Sequence, residues 1–411
     1  MTALPILTFI DGCLKDSIPE QTLAVLDEKF TSIRSSSSID FTGIVWATDI
    51  QPAVFFPKCS QMPERREDQK RLIHVLINSL RRYSASDSAS RSADVSSSML
   101  SCAELELLEL YQRDGLYSNR EKHVSQNIKG PIDWKRTINA MDPSLNKDGS
   151  LFYLETMKRG YQASDTQIRR IHATLVNRAI AAFDWLVNVK PCNEVAASQR
   201  SPVSDETALR LLQREISQQF SEKKIRLIKL LIAVLEQRLS GSRSEGSVFG
   251  TTRFEMVWEH MISSYLGDQK NNFRGLAIPA YVNGSGAISA SAGNSARPDT
   301  ILEEHDRIAV IDAKYYDFSV SKPQWSDLVK QFFYAKTFKI NFPKSHISNW
   351  FFMPGVDNNG AHQAVVINSK NHRLDDEFPP IAIQFKDPFE VMSHYADYRI
   401  NHEDRRKSLV G

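Results

Sequence analysis

At 411 residues with 41% apolar side chains, the chain is too long for one ordinary core and too apolar for a disordered tail, so two or three globular units are expected. Its 51 lysines and arginines nearly cancel its 49 acids, leaving a net charge of +2, which excludes a global field advertising a nucleic-acid or membrane partner; any such surface must be local. Cys13, Cys59, Cys102 and Cys192 lie far apart and form neither a CxxC pair nor a Cys/His cluster, which argues against a zinc site or a disulfide framework and for reduced thiols in a cytoplasmic protein.

The start, Met1–Ile10, has no basic segment before its short apolar run, and no stretch approaches ~18 uninterrupted apolar residues. The chain is therefore expected to be neither secreted nor membrane-spanning. Two serine-rich stretches, Ser35–Ser38 and Ser84–Ser98, offer little apolar area to offset the entropy of ordering and read as surface loops or linkers. Between them, Phe41–Ala47 and Ala53–Pro57 read as short strands joined by a polar turn around Asp49 to Pro52. Arg65–Tyr83 follows as an amphipathic helix with Leu72, Val75, Leu76 and Leu80 on its apolar stripe.

From Ala103 to about Gly241 helical spacing dominates: Ala103–Tyr111, Ser164–Val189 and Asp205–Leu239, the last with Leu227, Leu230, Leu231, Val234 and Leu235 in register for a core stripe. The basic runs Arg65–Arg66 with Lys70–Arg71, Arg81–Arg82, Arg169–Arg170 and Lys223–Lys224–Arg226 read as solvated helix edges. Gly241–Ser247 marks a boundary. Beyond it come a helix (Arg253–Leu266), a Gly/Ser-rich loop (Asn283–Ser295), strands Asp299–Leu302 and Ile308–Ala313, a helix (Trp325–Phe338), and strands Ser348–Met353 and Ala364–Ile367. The expected layout is a small α+β N-terminal region over 1–110, carrying target or partner recognition, a mainly helical middle over 111–243, and an α/β domain over 244–411 with a mixed central sheet flanked by helices.

The strongest chemical signal is Arg297-Pro298-Asp299-Thr-Ile-Leu followed by Ile308-Ala-Val-Ile-Asp312-Ala313-Lys314. Two strands around the polar turn Glu303–Asp306 set Asp299 near the start of one and Asp312 and Lys314 near the end of the other. The two-residue period of a strand puts Asp312 and Lys314 on one face and Ala313 on the opposite one. Paired carboxylates suit a hard divalent cation that polarises a phosphodiester and activates water, and a neighbouring amine orients or helps deprotonate that water and offsets charge on the phosphorane. Upstream, Glu255 and Glu259 lie one turn apart on one helix face, either able to reach the ion or its water shell. Glu255 occupies a first turn where acids are favoured by the helix dipole alone. Downstream, Gln331 on an otherwise apolar helix is a candidate partner for the lysine or a phosphate, as is Tyr334.

In this order, the helix glutamate at 255 or 259, Pro298-Asp299, Asp312-Ala313-Lys314 and the glutamine helix at 331 resemble the PD-(D/E)xK nucleases. More narrowly, Ile128–Ile138, Tyr153-Leu154-Glu155 and Ile171-His172 are similar to the segment upstream of the nuclease domain in LlaJI-type restriction endonucleases and McrC-like nuclease subunits. The resemblance spans about Gly115 to Ala396; no resemblance is read in the first hundred or so residues. It implies a restriction-endonuclease-like fold and a magnesium-dependent DNA endonuclease, with manganese substituting, in a restriction or phage-defence system. It also implies double-stranded DNA as substrate and an AAA+ GTPase partner of McrB type; the chain has no GxxxxGK[ST] loop of its own. Double-strand cleavage calls for two active sites, hence a homodimer or larger assembly. The competing readings are a self-sufficient type II enzyme, a DNA-binding scaffold that has lost catalysis, and a mere ion-pair cluster at a hairpin end.

Overall fold

The structure is a computed structural model that describes residues 6–30, 33, 36–47, 50–86, 99–100, 103–118, 120–126, 130–163, 167–186, 189, 192, 203–239, 247–270, 273, 280–290, 297–356, 362–397 and 409. The chain divides into two compact units, one of residues 1–101 with 246–411, the other of residues 102–245.

At the start of the first unit, β1 (Leu7–Ile10) is followed by α1 (Glu20–Lys29), β2 (Thr42–Ala47) and β3 (Ile50–Phe56). The β-branched and aromatic runs expected at 41–47 and 53–57 thus pair as an antiparallel hairpin, with β1 parallel to β3, Leu7 opposite Ala53. Val25 and Leu26 of α1 pack on Ile39, Phe41, Val45 and Phe55 as one core. The helix expected over 65–83 is α2 (Arg66–Ser84), and its fully buried face carries Ile73, Leu76, Ile77 and Leu80. Leu72 and Val75 lie only half-buried at its margin. The short β4 (Met99–Leu100) ends this segment; residues 87–98, most of the second serine-rich stretch, lie outside the described residues.

In the second unit α3 (Ala103–Asp114) precedes β5 (Arg120–Ser125), α4 (Trp134–Ala140), β6 (Lys158–Ala163) and α5 (Gln167–Ala182). β5 and β6 form an antiparallel pair that the helical reading of this region omitted, Lys158 opposite Ser125. The single helix expected over 205–239 is two, α6 (Asp205–Ile216) and α7 (Glu222–Leu239). The break falls where the core stripe fails: Ser217 turns its hydroxyl back to the Arg214 carbonyl, and Phe220 stands 97% exposed. His172 is a buried core residue whose Nδ1 accepts from the Tyr117 main-chain N–H at 2.9 Å, and burial lowers its pKa to about 4.

The chain then returns to the first unit. β7 (Ser247–Thr251) inserts between β2 and β4, giving the sheet order β1–β3–β2–β7–β4. Residues 241–246 of the expected boundary lie outside the described residues. The separation of a 1–110 region from a 244–411 domain is therefore corrected: both segments contribute strands to one sheet. The reason is visible at Gly43 and Gly250, which face each other across β2 and β7 at φ of 154° and 158°. The Phe41 ring lies over both, and an added Cβ on either would meet backbone atoms within 2.6 Å. Only glycine permits that approach.

α8 (Phe254–Leu266) buries Phe254, Val257, Trp258, Met261, Ile262, Tyr265 and Leu266 and ends on Gly267 at φ 69°, a left-handed helix stop that favours glycine. The loop expected over 283–295 contains the turn and second strand of an exposed hairpin, β8 (Ala280–Val282) with β9 (Ile288–Ala290); residues 291–296 lie outside the described residues. The second sheet comprises β10 (Thr300–Glu304), β11 (Arg307–Ala313), β12 (His346–Pro354), β13 (His362–Ala364) and β14 (Ile381–Lys386), with α9 (Trp325–Asn341) between β11 and β12. Its order is β10–β11–β12–β14–β13, with parallel pairs β11–β12 and β12–β14 inside antiparallel edges. This is the mixed sheet expected. β14 was not foreseen, nor was α10 (Pro388–Ala396), which packs on α2 and α8; the edge strand expected at 364–367 lies at His362–Ala364.

Candidate active site

β11 is buried from Ile308 to Ala313, as a strand covered on both faces must be. Its near-continuous apolar run therefore makes Asp312, at 8% exposure, an anomaly with a physical price: a buried carboxylate needs partners. It finds one in the residue two positions on. Lys314 Nζ lies 2.8 Å from Asp312 Oδ2 and 3.1 Å from Asp327 Oδ1, so the shared strand face holds as expected. The Lys314 main-chain N–H donates to the Phe352 carbonyl at 2.8 Å, extending the ladder one residue past β11.

Asp299 immediately precedes β10, and its Oδ2 accepts from the Ala313 main-chain N–H at 2.8 Å. Its carboxyl thus crosses to the end of β11. Its own carbonyl accepts from Ser263 Oγ at 3.0 Å and Lys270 Nζ at 3.1 Å, tying the Pro298-Asp299 corner to α8 and the segment after it. Burial, then the nearby charges of Asp312 and Glu259, raise the Asp299 pKa to about 8. Glu259 is raised in a similar way: burial, then Asp312, bring it to about 7 against the opposing pull of Lys314. Burial disfavours charge on Lys314 too, but Asp312 and Asp327 outweigh it and hold the amine above the ordinary lysine range.

Of the residues singled out from sequence, Glu259, Asp299, Asp312 and Lys314 are brought within mutual electrostatic reach at one end of the β10–β11 hairpin. Glu255 instead pairs with Arg253 at 2.9 Å, its side chain 42% exposed. Gln331 is fully buried, and its amide donates to the Val310 carbonyl at 2.7 Å, bracing α9 against β11 rather than reaching the lysine. Tyr334 stands closer to the carboxylates. The pKa of its hydroxyl rises through burial and then through Asp312 and Asp299.

Asp327 had no role in the sequence reading. It closes a capping box with Gln324 at the start of α9, accepting from the Gln324 N–H at 2.9 Å through Oδ2, and offers Oδ1 to Lys314. A helix-start acid is ordinarily explained by the cap alone; the available signal was its place four residues before Gln331, one turn along the same face. A cleft of about 560 Å³ adjoins Glu259 and Asp299, lined also by His260, Ser263, Lys270 and Tyr83. It opens the carboxylates to solvent on the α8 side.

Comparison with known proteins bears on this arrangement. The type II restriction enzyme BsuMI component YdjA of Bacillus subtilis (strain 168) is 21% identical over 267 residues, covering 58% of this chain, and the chain spans only 56% of that relative's length. Among solved structures, a chain of the Thermococcus gammatolerans assembly of McrB AAA+ hexamers with bound McrC matches at TM-score 0.42 and 14% identity, over 98% of this chain and 99% of that one. The family model described as LlaJI restriction endonuclease matches residues 41–379, from the hairpin of the first sheet through every residue of the site described above, and the chain belongs to that family.

Proposed function

We propose that this chain is a metal-dependent DNA endonuclease of PD-(D/E)xK type acting in a restriction system. The observation carrying the reading is the convergence of Glu259, Asp299 and Asp312 with Lys314, where the charge of Asp312 opposes ionisation of both Asp299 and Glu259. Negative charge gathered this way in a buried, solvent-adjoining corner calls for a cation beyond one lysine.

The donor set is all carboxylate oxygen, which suits a hard divalent ion. Among the described residues no three His, Cys, Asp or Glu side chains form a ligand cluster. Magnesium does not require one, since it is commonly held by one or two carboxylates with phosphate and water oxygens completing its shell. Asp299 and Asp312 would hold it, with Glu259 placed to take a ligand water. Bound there, the ion would polarise the scissile phosphate and lower the pKa of an attacking water. Lys314, which Asp312 and Asp327 hold above the ordinary lysine range, would orient the attacking water and offset charge on the phosphorane. Asp327 and Tyr316, which donates to Asp327 Oδ2 at 3.3 Å, hold the amine in place.

The test is nicking of supercoiled plasmid by the full chain with magnesium or manganese. Loss of nicking in Asp312→Ala and Lys314→Ala, with folding retained, supports the reading; a folded Lys314→Ala that cuts at the wild-type rate would refute it. The resemblance to McrC-like subunits, and a sequence without a phosphate loop, further favour work beside a McrB-like AAA+ GTPase and as a dimer or larger assembly. GTP-dependent stimulation of cleavage by such a partner checks this.

A further inference from the structure

Lys314 is followed by Tyr315, and neighbouring residues of an extended chain point to opposite faces. While Lys314 meets α9 through Asp327, Tyr315 is buried on the other side. Its ring centre lies 5.2 Å from that of Phe254 and 6.3 Å from that of Trp258, both on the helix that carries Glu259. Its hydroxyl reaches the first sheet, donating to Asp11 Oδ2 at 2.8 Å and accepting from the Lys58 main-chain N–H at 2.8 Å. The Lys58 ammonium sits over the same ring at 5.1 Å. One side chain thus touches the glutamate helix, the lysine strand and the end of β1.

Two features set this contact apart from ordinary packing. Asp11 is a buried carboxylate whose Oδ2 takes Tyr315 and, at 3.3 Å, Thr42 Oγ1, while its Oδ1 is buried with no hydrogen-bond partner; an unsatisfied charged oxygen is costly inside a protein. Cys59, directly after the Lys58 N–H that caps the tyrosine, has φ 61°, a conformation sparsely populated for a residue with a side chain. Such compromises tend to collect at functional sites rather than in passive cores.

We propose that Asp11 and Tyr315 are positioning residues that set the backbone of Lys314 against Glu259, making the end of β1 part of the nuclease site. This rests on the reading of the site given above. The test is single-turnover plasmid cleavage by the full chain with manganese, measured against DNA concentration for wild type, Tyr315→Phe, Asp11→Ala and Asp11→Asn, with a thermal melt of each. Tyr315→Phe removes one oxygen and keeps the ring packing, so it decides the matter if Asp11→Ala does not fold.

The expected result is a fall of about tenfold or more in cleavage rate at saturating DNA for Tyr315→Phe and Asp11→Ala, since displacement of a catalytic group by ~1 Å can cost up to about a hundredfold. Half-saturation by DNA should stay within about twofold, and Asp11→Asn, which keeps an acceptor for the tyrosine hydroxyl, should recover most of the rate. A folded Tyr315→Phe that cleaves at the wild-type rate, or one whose loss lies entirely in half-saturation, would overturn the proposal. An inactive wild type would overturn the nuclease reading beneath it, so the two failures are distinguishable.

Discussion

Replacing Asp299 by asparagine should make the metal-free protein more stable while abolishing cleavage. The Asp299 carboxyl is raised from an ordinary 3.8 to about 8 by burial, Asp312 and Glu259, so the folded chain binds this proton more tightly than the unfolded chain does. The penalty for ionising it is absent below about pH 4 and grows as pH rises toward 8. Each tenfold in proton affinity is about 1.4 kcal/mol, which sets a ceiling of about 6 kcal/mol at pH 8. Asp299 and Glu259 are both raised and titrate as neighbours, so the realised gain from Asp299→Asn is expected below that ceiling, at about 2–3 kcal/mol. Asparagine keeps an oxygen for the Ala313 N–H that now donates to Asp299 at 2.8 Å. Thermal melting with a chelator present, at pH 5 and pH 8, measures this: the variant should melt higher at pH 8, and the difference should shrink at pH 5. Magnesium should then raise the melting temperature of wild type and leave the variant nearly unmoved. A variant melting at or below wild type at pH 8, in chelator, would refute the charge-crowding argument.

The two glutamates of α8 should separate cleanly: Glu259→Gln is expected to lower cleavage by about a hundredfold or more, and Glu255→Gln by no more than a few-fold, because only the former faces the carboxylates; equal losses in plasmid nicking would contradict this assignment. Gln331→Leu should cost about 1–2 kcal/mol in urea unfolding through the lost bond to the Val310 carbonyl, with a smaller loss of cleavage than Lys314→Ala. Gly250→Ala would place a Cβ 2.4 Å from the Thr42 carbonyl oxygen; we expect a loss of about 3 kcal/mol or more, read as a lowered melting temperature or insoluble expression.

How legible this was in the sequence depended on whether a signal was local. The hairpin carrying Asp299, Asp312 and Lys314 was readable because strand period, turn polarity and side-chain chemistry all lie within residues 297–314. The choice between Glu255 and Glu259 was not, since both share a helix face and only the tertiary environment, with Arg253 beside one and Asp312 near the other, distinguishes them. Gln331 was noticed as an odd polar residue on an apolar helix, but nothing local tells a brace to a strand carbonyl from a ligand to a lysine. Asp327 was masked by its own cap. The merging of the chain's two outer segments depended on a strand pairing between residues some 200 positions apart, Gly43 with Gly250, and a period-based reading has no access to such partners. The split of the 205–239 helix was, by contrast, locally marked by the polar Ser217-Gln-Gln run, which the strong leucine stripe downstream overshadowed.

The placement of β7 has a bearing on how a cell makes such a protein. A separate unit is threaded into the chain between β4 and β7, which are hydrogen-bonded neighbours, Thr251 opposite Met99. The inserted segment therefore leaves and rejoins its host at one spot. The first sheet must wait on the ribosome for well over a hundred residues of insertion before its fifth strand arrives, and the helix that closes over α2 and α8 is translated later still. Contacts so distant in sequence form late.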